Sequence, residues 1–268
     1  MSDFPELTQE NLATLRDEFS QKVEELKGLP SKVNEGYDKL KIISLASYLA
    51  LSHVRDEIQD NLKEVTSKIG EAVEGMFAPW LFVDYASKWQ QVGALVGNAY
   101  GIQNREEYNL EGNWDGSAYK SYKESKTYQA TAMTTVKDLC DKVHEKLLTI
   151  AEEGRIFYKA IIDKLATIIG EVGVFLAESI GTGGAAVVWT VNDLNAAIVA
   201  SVELIFEAIT NFAEVQTKVW IASNELQNMI KSPVGLAVNA QGKDAWPSPN
   251  TNEYDSKDDD WHLDGEDK

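Results

Sequence analysis

Residues able to do chemistry are few in this chain and lie far apart. The three histidines, His53, His144 and His262, form no metal-ligand set with neighbouring residues, and no His-Glu-x-x-His motif occurs. The single cysteine, Cys140, has no compelling histidine partner, so it is expected to be a small apolar core residue. These residues predict neither a nucleophile nor a metal site.

Two further patterns match ligand-binding loops only in part. The run Gly181-Thr-Gly183-Gly-Ala-Ala186 fits a loose dinucleotide fingerprint, but no strand is visible before it, so a turn between helices is the better interpretation. Asp260, His262, Asp264 and Gly265 approximate the start of a calcium loop, but the third position is His and no closing Glu follows. We therefore predict no cofactor, no metal and no enzymatic activity.

The composition limits the classes of partner. A net charge of −18 and a pI near 4.6 disfavour binding to phosphate backbones, so no nucleic-acid partner is expected. The N-terminal stretch Met1–Glu10 is acidic and lacks the basic and apolar regions of a secretory signal peptide. If a protein with this sequence is exported from the cytoplasm, we expect a route that uses no cleaved signal peptide.

Apolar residues recur at three- and four-residue steps, which predicts an all-α protein, an elongated antiparallel helical bundle. A first helix is expected over residues 8–26, ended by Gly28-Leu29-Pro30, and a second over 33–76. Pro79-Trp80 starts a third helix over 81–102. Its apolar face toward a partner consists of Trp89, Val92, Leu95, Val96 and Ala99.

A fourth helix is expected from just after Trp114 to about Ser179, and a fifth over residues 185–230. Within Ile161–Ile221, each arm has one narrow polar stripe and a wide apolar face. Packing between neighbouring helices is favoured over membrane insertion, because carboxylates at the bilayer midplane cost several kcal/mol each. Membrane association stays possible but is not favoured.

The chain is expected to divide into three parts. Residues 1–79 form a helical pair that packs on a hairpin, and residues 80–235 form that hairpin with its apolar arms. Residues 236–268 form an acidic tail; from Ala240 onward it has no apolar periodicity, which predicts disorder.

Two short patterns suggest recognition rather than catalysis. Trp114-Asp115-Gly116 lies at the sharp break between two long helices, and Ala118, Tyr119 and Tyr122 follow it at helical spacing. Tyr254-Asp-Ser-Lys-Asp258 is a Tyr-x-x-x-Asp, and no other tyrosine has an acidic residue four positions later. An indole at the junction could enter a partner's pocket or cap the hairpin core.

These patterns resemble the Trp-x-Gly superfamily of helical hairpins exported by type VII (ESX) secretion systems, in particular extended actinobacterial-type members. The resemblance covers residues 81–215. It implies a secretion signal formed by Trp114, Gly116, Tyr254 and Asp258. It also implies an export ATPase or a helical secretion partner, and a secreted or envelope location. Two departures are the extra helices before the hairpin and a Tyr-x-x-x-Asp far beyond the return helix.

Two alternatives remain open. Long helices around an apolar hairpin are also the organisation of helical pore-forming toxins, with residues 168–206 as the membrane-active part. A cytosolic scaffold or chaperone is a third, weaker interpretation.

Overall fold

Five long helices make up most of the chain in the computed structural model, which describes residues 4–76, 78–114, 116–181, 187–231, 234–238 and 242–247. The helices are α1 (Gln9–Ile43), α2 (Leu45–Glu74), α3 (Ala78–Gln103), α4 (Gly116–Gly181) and α5 (Val187–Lys231). A single 3-10 turn spans Glu106–Tyr108. Two strands of two residues, β1 (Ala237–Val238) and β2 (Asp244–Ala245), pair antiparallel. The predicted all-α class of antiparallel helices is confirmed.

The helices belong to two compact units, and each unit draws on distant parts of the chain. One, here called the four-helix unit, comprises Met1–Val83 and Leu148–Val219, and so contains α1, α2 and parts of α4 and α5. The other, here called the hairpin unit, comprises Asp84–Leu147 and Trp220–Lys268. It contains most of α3, the first part of α4, the end of α5, and the strands.

Helix α1 continues through Pro30, where the sequence predicted its end. Its start is as expected, because the Thr8 hydroxyl accepts a hydrogen bond from the Asn11 backbone nitrogen at 3.1 Å. A proline inside a helix costs about 3 kcal/mol. Burial on both sides of Pro30 offsets that cost and corrects the prediction. One buried face carries Leu26, Leu29, Val33, Tyr37 and Leu40.

The break between the first two helices is at Ser44 instead. Its φ and ψ of −150° and 97° are extended, and its hydroxyl accepts a hydrogen bond from the Ser47 backbone nitrogen at 3.3 Å. Ile42, just before the break, is 86% exposed, so no burial holds the helix together there. Helices α1 and α2 therefore form an antiparallel hairpin joined by one residue. Gln59 of α2 donates to the Pro30 carbonyl oxygen at 2.9 Å across it.

The core of the four-helix unit contains the predicted apolar arms. Ring centroids lie 5.2 Å apart between Phe19 and Tyr158 and 4.5 Å apart between Phe157 and Phe212. The apolar faces of the two arms are buried only in part, because Trp220 is 67% and Ile221 50% exposed. The glycine run after Gly181 lies outside the described residues. The fully buried members from the two arms include Ile161, Leu165, Ile168, Phe175, Val191, Leu194 and Ile198.

Two buried tyrosines make the stability of this core sensitive to alkaline pH. The Tyr158 hydroxyl donates to the Ala72 carbonyl oxygen at 2.9 Å, and burial raises the pKa of Tyr158 to about 12. Burial also raises the pKa of Tyr37, whose hydroxyl has no partner among the described residues. Both protons are held more tightly in the folded chain than in the unfolded one.

We expect the free energy of unfolding to be insensitive to these tyrosines below their unfolded pKa of about 10. Above it, stability should fall by about 1.4 kcal/mol per pH unit for each tyrosine, until the folded pKa is reached. Urea unfolding of the wild type and of Tyr158→Phe across this range measures the effect. Tyr158→Phe should be less stable than the wild type at neutral pH, because it lacks the hydrogen bond to Ala72. Its free energy of unfolding should fall less steeply than that of the wild type as the pH rises. Equal slopes would contradict the assignment.

The hairpin unit is built on α3 and the first part of α4, which run antiparallel. Nδ1 of His144 donates to the Ala86 carbonyl oxygen at 2.9 Å near the open end of the pair. Gln103 donates to Gln129 at 2.8 Å near the turn. A Cβ added at Gly93 would lie 3.2 Å from Cβ of Cys140, so this glycine sets a close approach of the two helices.

Candidate functional site

The turn of the hairpin unit contains the Trp-x-Gly residues. The chain leaves α3 at Asn104, whose side chain donates to the Tyr100 carbonyl oxygen at 2.9 Å. A positive φ of 84° at Gly112 then redirects the chain, and the Trp114 backbone nitrogen donates to the Leu110 carbonyl oxygen at 3.1 Å. Residue 115 lies outside the described residues.

Gly116 begins α4 with a φ of 89°, in the left-handed region that L side chains rarely adopt. A side chain there would meet nothing within 4 Å, so conformation rather than space requires the glycine. The Trp114 indole is half-buried, and its ring centroid lies 5.9 Å from that of Tyr119 and 5.7 Å from that of Tyr122. Gly116 thus supplies the backbone conformation of the junction, and Trp114 packs on the first turns of α4.

A cleft of about 360 Å³ lies beside this turn. Glu111 forms an ion pair with Lys123 at 2.9 Å, and this contact raises the pKa of Lys123. Lys126 donates to the Tyr108 carbonyl oxygen at 3.4 Å. We call this cleft the tyrosine–lysine cleft, after the side chains that dominate its lining: Tyr100, Tyr108, Tyr119, Tyr122, Lys123 and Lys126. The sequence analysis missed it, although lysines at three-residue spacing after Trp114 were a visible signal.

The apolar face predicted on α3 does not pack in the described part of the hairpin unit. Leu95 is 68% exposed, and Trp89 and Val92 are exposed as well. Ala86, Gly93 and other small residues pack on α4 instead, because they allow the closer approach of two helix backbones. We call the exposed set Tyr85, Trp89, Val92 and Leu95 the α3 stripe.

Residues on both sides of position 236, where the tail was predicted to begin, contact α4. Thr135 donates to the Val234 carbonyl oxygen at 2.9 Å, and Gln129 donates to the Pro247 carbonyl oxygen at 2.8 Å. Gly235, at a φ of 85°, lies so close that an added Cβ would be 2.6 Å from the Ala132 nitrogen. Within the segment predicted to be disordered, the structure describes residues 242–247, where β2 pairs with β1 and Pro247 is buried.

The remaining candidates divide between described and undescribed residues. Cys140 is buried, and burial raises the pKa of its thiol, in keeping with a core residue. No group of three or more His, Cys, Asp or Glu side chains is placed to hold a metal ion in the part of the chain that the structure describes. Tyr254 and Asp258, and the calcium-like pattern from Asp260, lie outside that part.

Comparison of the chain with models of protein families, with curated proteins and with solved structures found no significant match.

Proposed function

We propose that the protein is a non-enzymatic type VII (ESX) secretion substrate or secretion-associated protein that acts through protein–protein interaction. The observation that carries this proposal is the junction of two antiparallel helices at Trp114 and Gly116. There a half-buried indole packs on two tyrosines and a glycine requires a positive φ. A helix junction of this kind supports the proposal.

The α3 stripe supports a role in binding another protein. It presents two aromatic and two aliphatic side chains at helical spacing. Asp84 and Lys88 are the only charged residues of α3, and they pair with each other at 2.7 Å. A helix face of this kind suits an apolar groove or a helical partner, because aromatic anchors contribute most of the energy at such interfaces.

The secretion signal in this proposal consists of Trp114, Gly116, Tyr254 and Asp258. An export ATPase or a helical secretion partner reads it, and the protein reaches the cell envelope or the medium without a cleaved signal peptide. Tyr254 and Asp258 would lie on one side of a helical turn when bound.

The test is export of the full chain from a strain that carries an ESX system. We expect Tyr254→Ala and Asp258→Ala to stop export and leave the protein folded in the cytoplasm, because a docking residue contributes to binding and not to the core. Tyr128→Ala is the matched control, since Tyr128 is exposed on α4 and has Ala132 four residues later. Unchanged export of both tail variants would end the assignment of the signal.

One observation favours the alternative of a pore-forming toxin component. Residues Val191–Thr217 of α5 are long and apolar enough to cross a membrane by length and composition, and only 22% of the most apolar window is buried. Core helices of soluble proteins meet the same test, and Glu203 and Glu207 lie on the exposed side of this segment.

Leakage of dye from anionic liposomes separates the two functions. Under the proposed function, we expect the native protein to leave liposomes intact at neutral and at acidic pH, because Val191, Leu194 and Ile198 of this segment already belong to the core that α1 and α2 share. Dye release at either pH that Glu203→Lys abolishes would favour the toxin.

A further inference from the structure

The last described residues of the chain are anchored beside the tyrosine–lysine cleft. Pro247 is buried, and its carbonyl oxygen accepts the hydrogen bond from Gln129. Gln129 in turn accepts a bond from Gln103 at 2.8 Å, which ties α3, α4 and the C-terminal segment together. The side-chain oxygen of Gln103, Oε1, is buried and has no hydrogen-bond partner among the described residues. Residues after Pro247 therefore start from a fixed point on α4.

The cleft is within short reach of that point. Lys126 and Lys123 precede Gln129 by three and six residues, which places them about 5 and 9 Å further along the axis of α4. An extended chain advances about 3.3 Å per residue. The eight residues from Ser248 to Asp255 are thus more than enough to cross the cleft.

Charge complementarity selects this segment as the occupant. Residues 248–268 contain eight Asp or Glu and two Lys, whereas residues 116–136 of α4 contain three Lys and one Glu in a chain of net charge −18. Lys123 pairs with Glu111, which also lines the cleft, so an incoming carboxylate would compete with Glu111 there; Lys126 forms no ion pair with a described residue. We propose that the acidic segment 250–260 binds in the tyrosine–lysine cleft of the same chain, against Lys123 and Lys126.

Tethering makes the intramolecular contact the favoured one. A segment attached a few residues from its site has an effective concentration in the millimolar range, so an intrinsic Kd of about 1 mM is enough to keep it bound half of the time. Two surface ion pairs do not supply that affinity alone, so contacts with the tyrosine rings that line the cleft must add to them. The docked segment would exclude other acidic ligands from the cleft, and the contact does not depend on export.

Paramagnetic relaxation enhancement tests the contact in the full chain. Cys140→Ala removes the single cysteine, and Ser256→Cys carries a nitroxide label. We expect the amide signals of Thr127 and Ala130 to lose most of their intensity. Lys123→Glu with Lys126→Glu should restore the signals, as should molar salt, because both remove the attraction.

The control variant carries Lys32→Glu with Lys159→Glu, which reverse the charge of two exposed lysines that do not line the cleft. It changes the net charge by the same amount as the cleft variant. Signal loss should persist in this control, and circular dichroism verifies that each variant is helical. Full amide signal intensity in the spin-labelled protein that keeps Lys123 and Lys126 would overturn the proposal. A loss of intensity that persists after charge reversal of these two lysines would overturn it as well. Loss that appears only when isotope-labelled protein is mixed with separately spin-labelled protein would assign the contact to a second copy and overturn it too.

Discussion

Replacing Phe175 by alanine is expected to lower the free energy of unfolding by about 3–5 kcal/mol, the usual cost of truncating a buried aromatic side chain. Phe175 is fully buried, and its ring centroid lies 5.6 Å from that of Tyr37 on α1. The adjacent residue is a matched control, because Val174 is 48% exposed on the same helix. Val174→Ala should change stability by less than about 0.5 kcal/mol.

Gly36 explains why the Phe175 ring can reach α1 at all. A Cβ at this position would lie 2.4 Å from Cε1 and 2.9 Å from Cζ of the ring, so Gly36→Ala forces the two helices apart or the ring out of its rotamer. We expect this substitution alone to cost about 1–3 kcal/mol. In the Phe175→Ala background the same methyl group enters the space that the ring vacates, so the cost should fall or change sign.

Urea unfolding of the two single variants and the double variant measures this coupling. Additive effects of Gly36→Ala and Phe175→Ala would show that the ring does not pack on the glycine. A Phe175→Ala variant as stable as Val174→Ala would contradict the position of Phe175 in the core.

Export of Trp114→Ala is expected to stop although the protein stays folded. The indole contacts Tyr119 and Tyr122 but remains half-exposed, so its loss should cost only about 1–2 kcal/mol, less than for a fully buried aromatic side chain. A loss of this size leaves a domain folded when its stability is about 5 kcal/mol or more. The secretion defect would then arise from recognition and not from unfolding.

Both quantities should be measured on the same variant, as secreted fraction and as free energy of unfolding. Trp220→Ala is the control, because Trp220 is 67% exposed on α5 and lies outside the proposed signal. Normal export of Trp114→Ala would remove this residue from the signal. A stability loss well above 2 kcal/mol, with the protein degraded inside the cell, would instead assign the indole to capping the hairpin.

Much of the secondary structure followed from spacing alone. The apolar residues of α1 from Leu12 to Leu26 are buried as their three- and four-residue steps predicted, and α4 is a single helix of 66 residues despite its internal glycines. The sharp break at Trp114-Asp115-Gly116 was likewise predicted from the sequence, and a glycine there has the left-handed φ that other residues rarely adopt. Local propensity and periodicity agree at these places, so the sequence determines them.

Where those local signals conflict or are absent, only the tertiary structure decides the position of helix ends and the packing faces. Burial on both sides of Pro30 overrides a helix-breaking residue, and no local signal distinguishes Ser44 as the true break. On α3, small residues pack while the larger apolar ones stay exposed, because backbone approach, not side-chain hydrophobicity, sets that interface. The Pro247 carbonyl oxygen accepts a hydrogen bond from Gln129 of α4, a contact between positions more than a hundred residues apart that periodicity cannot report.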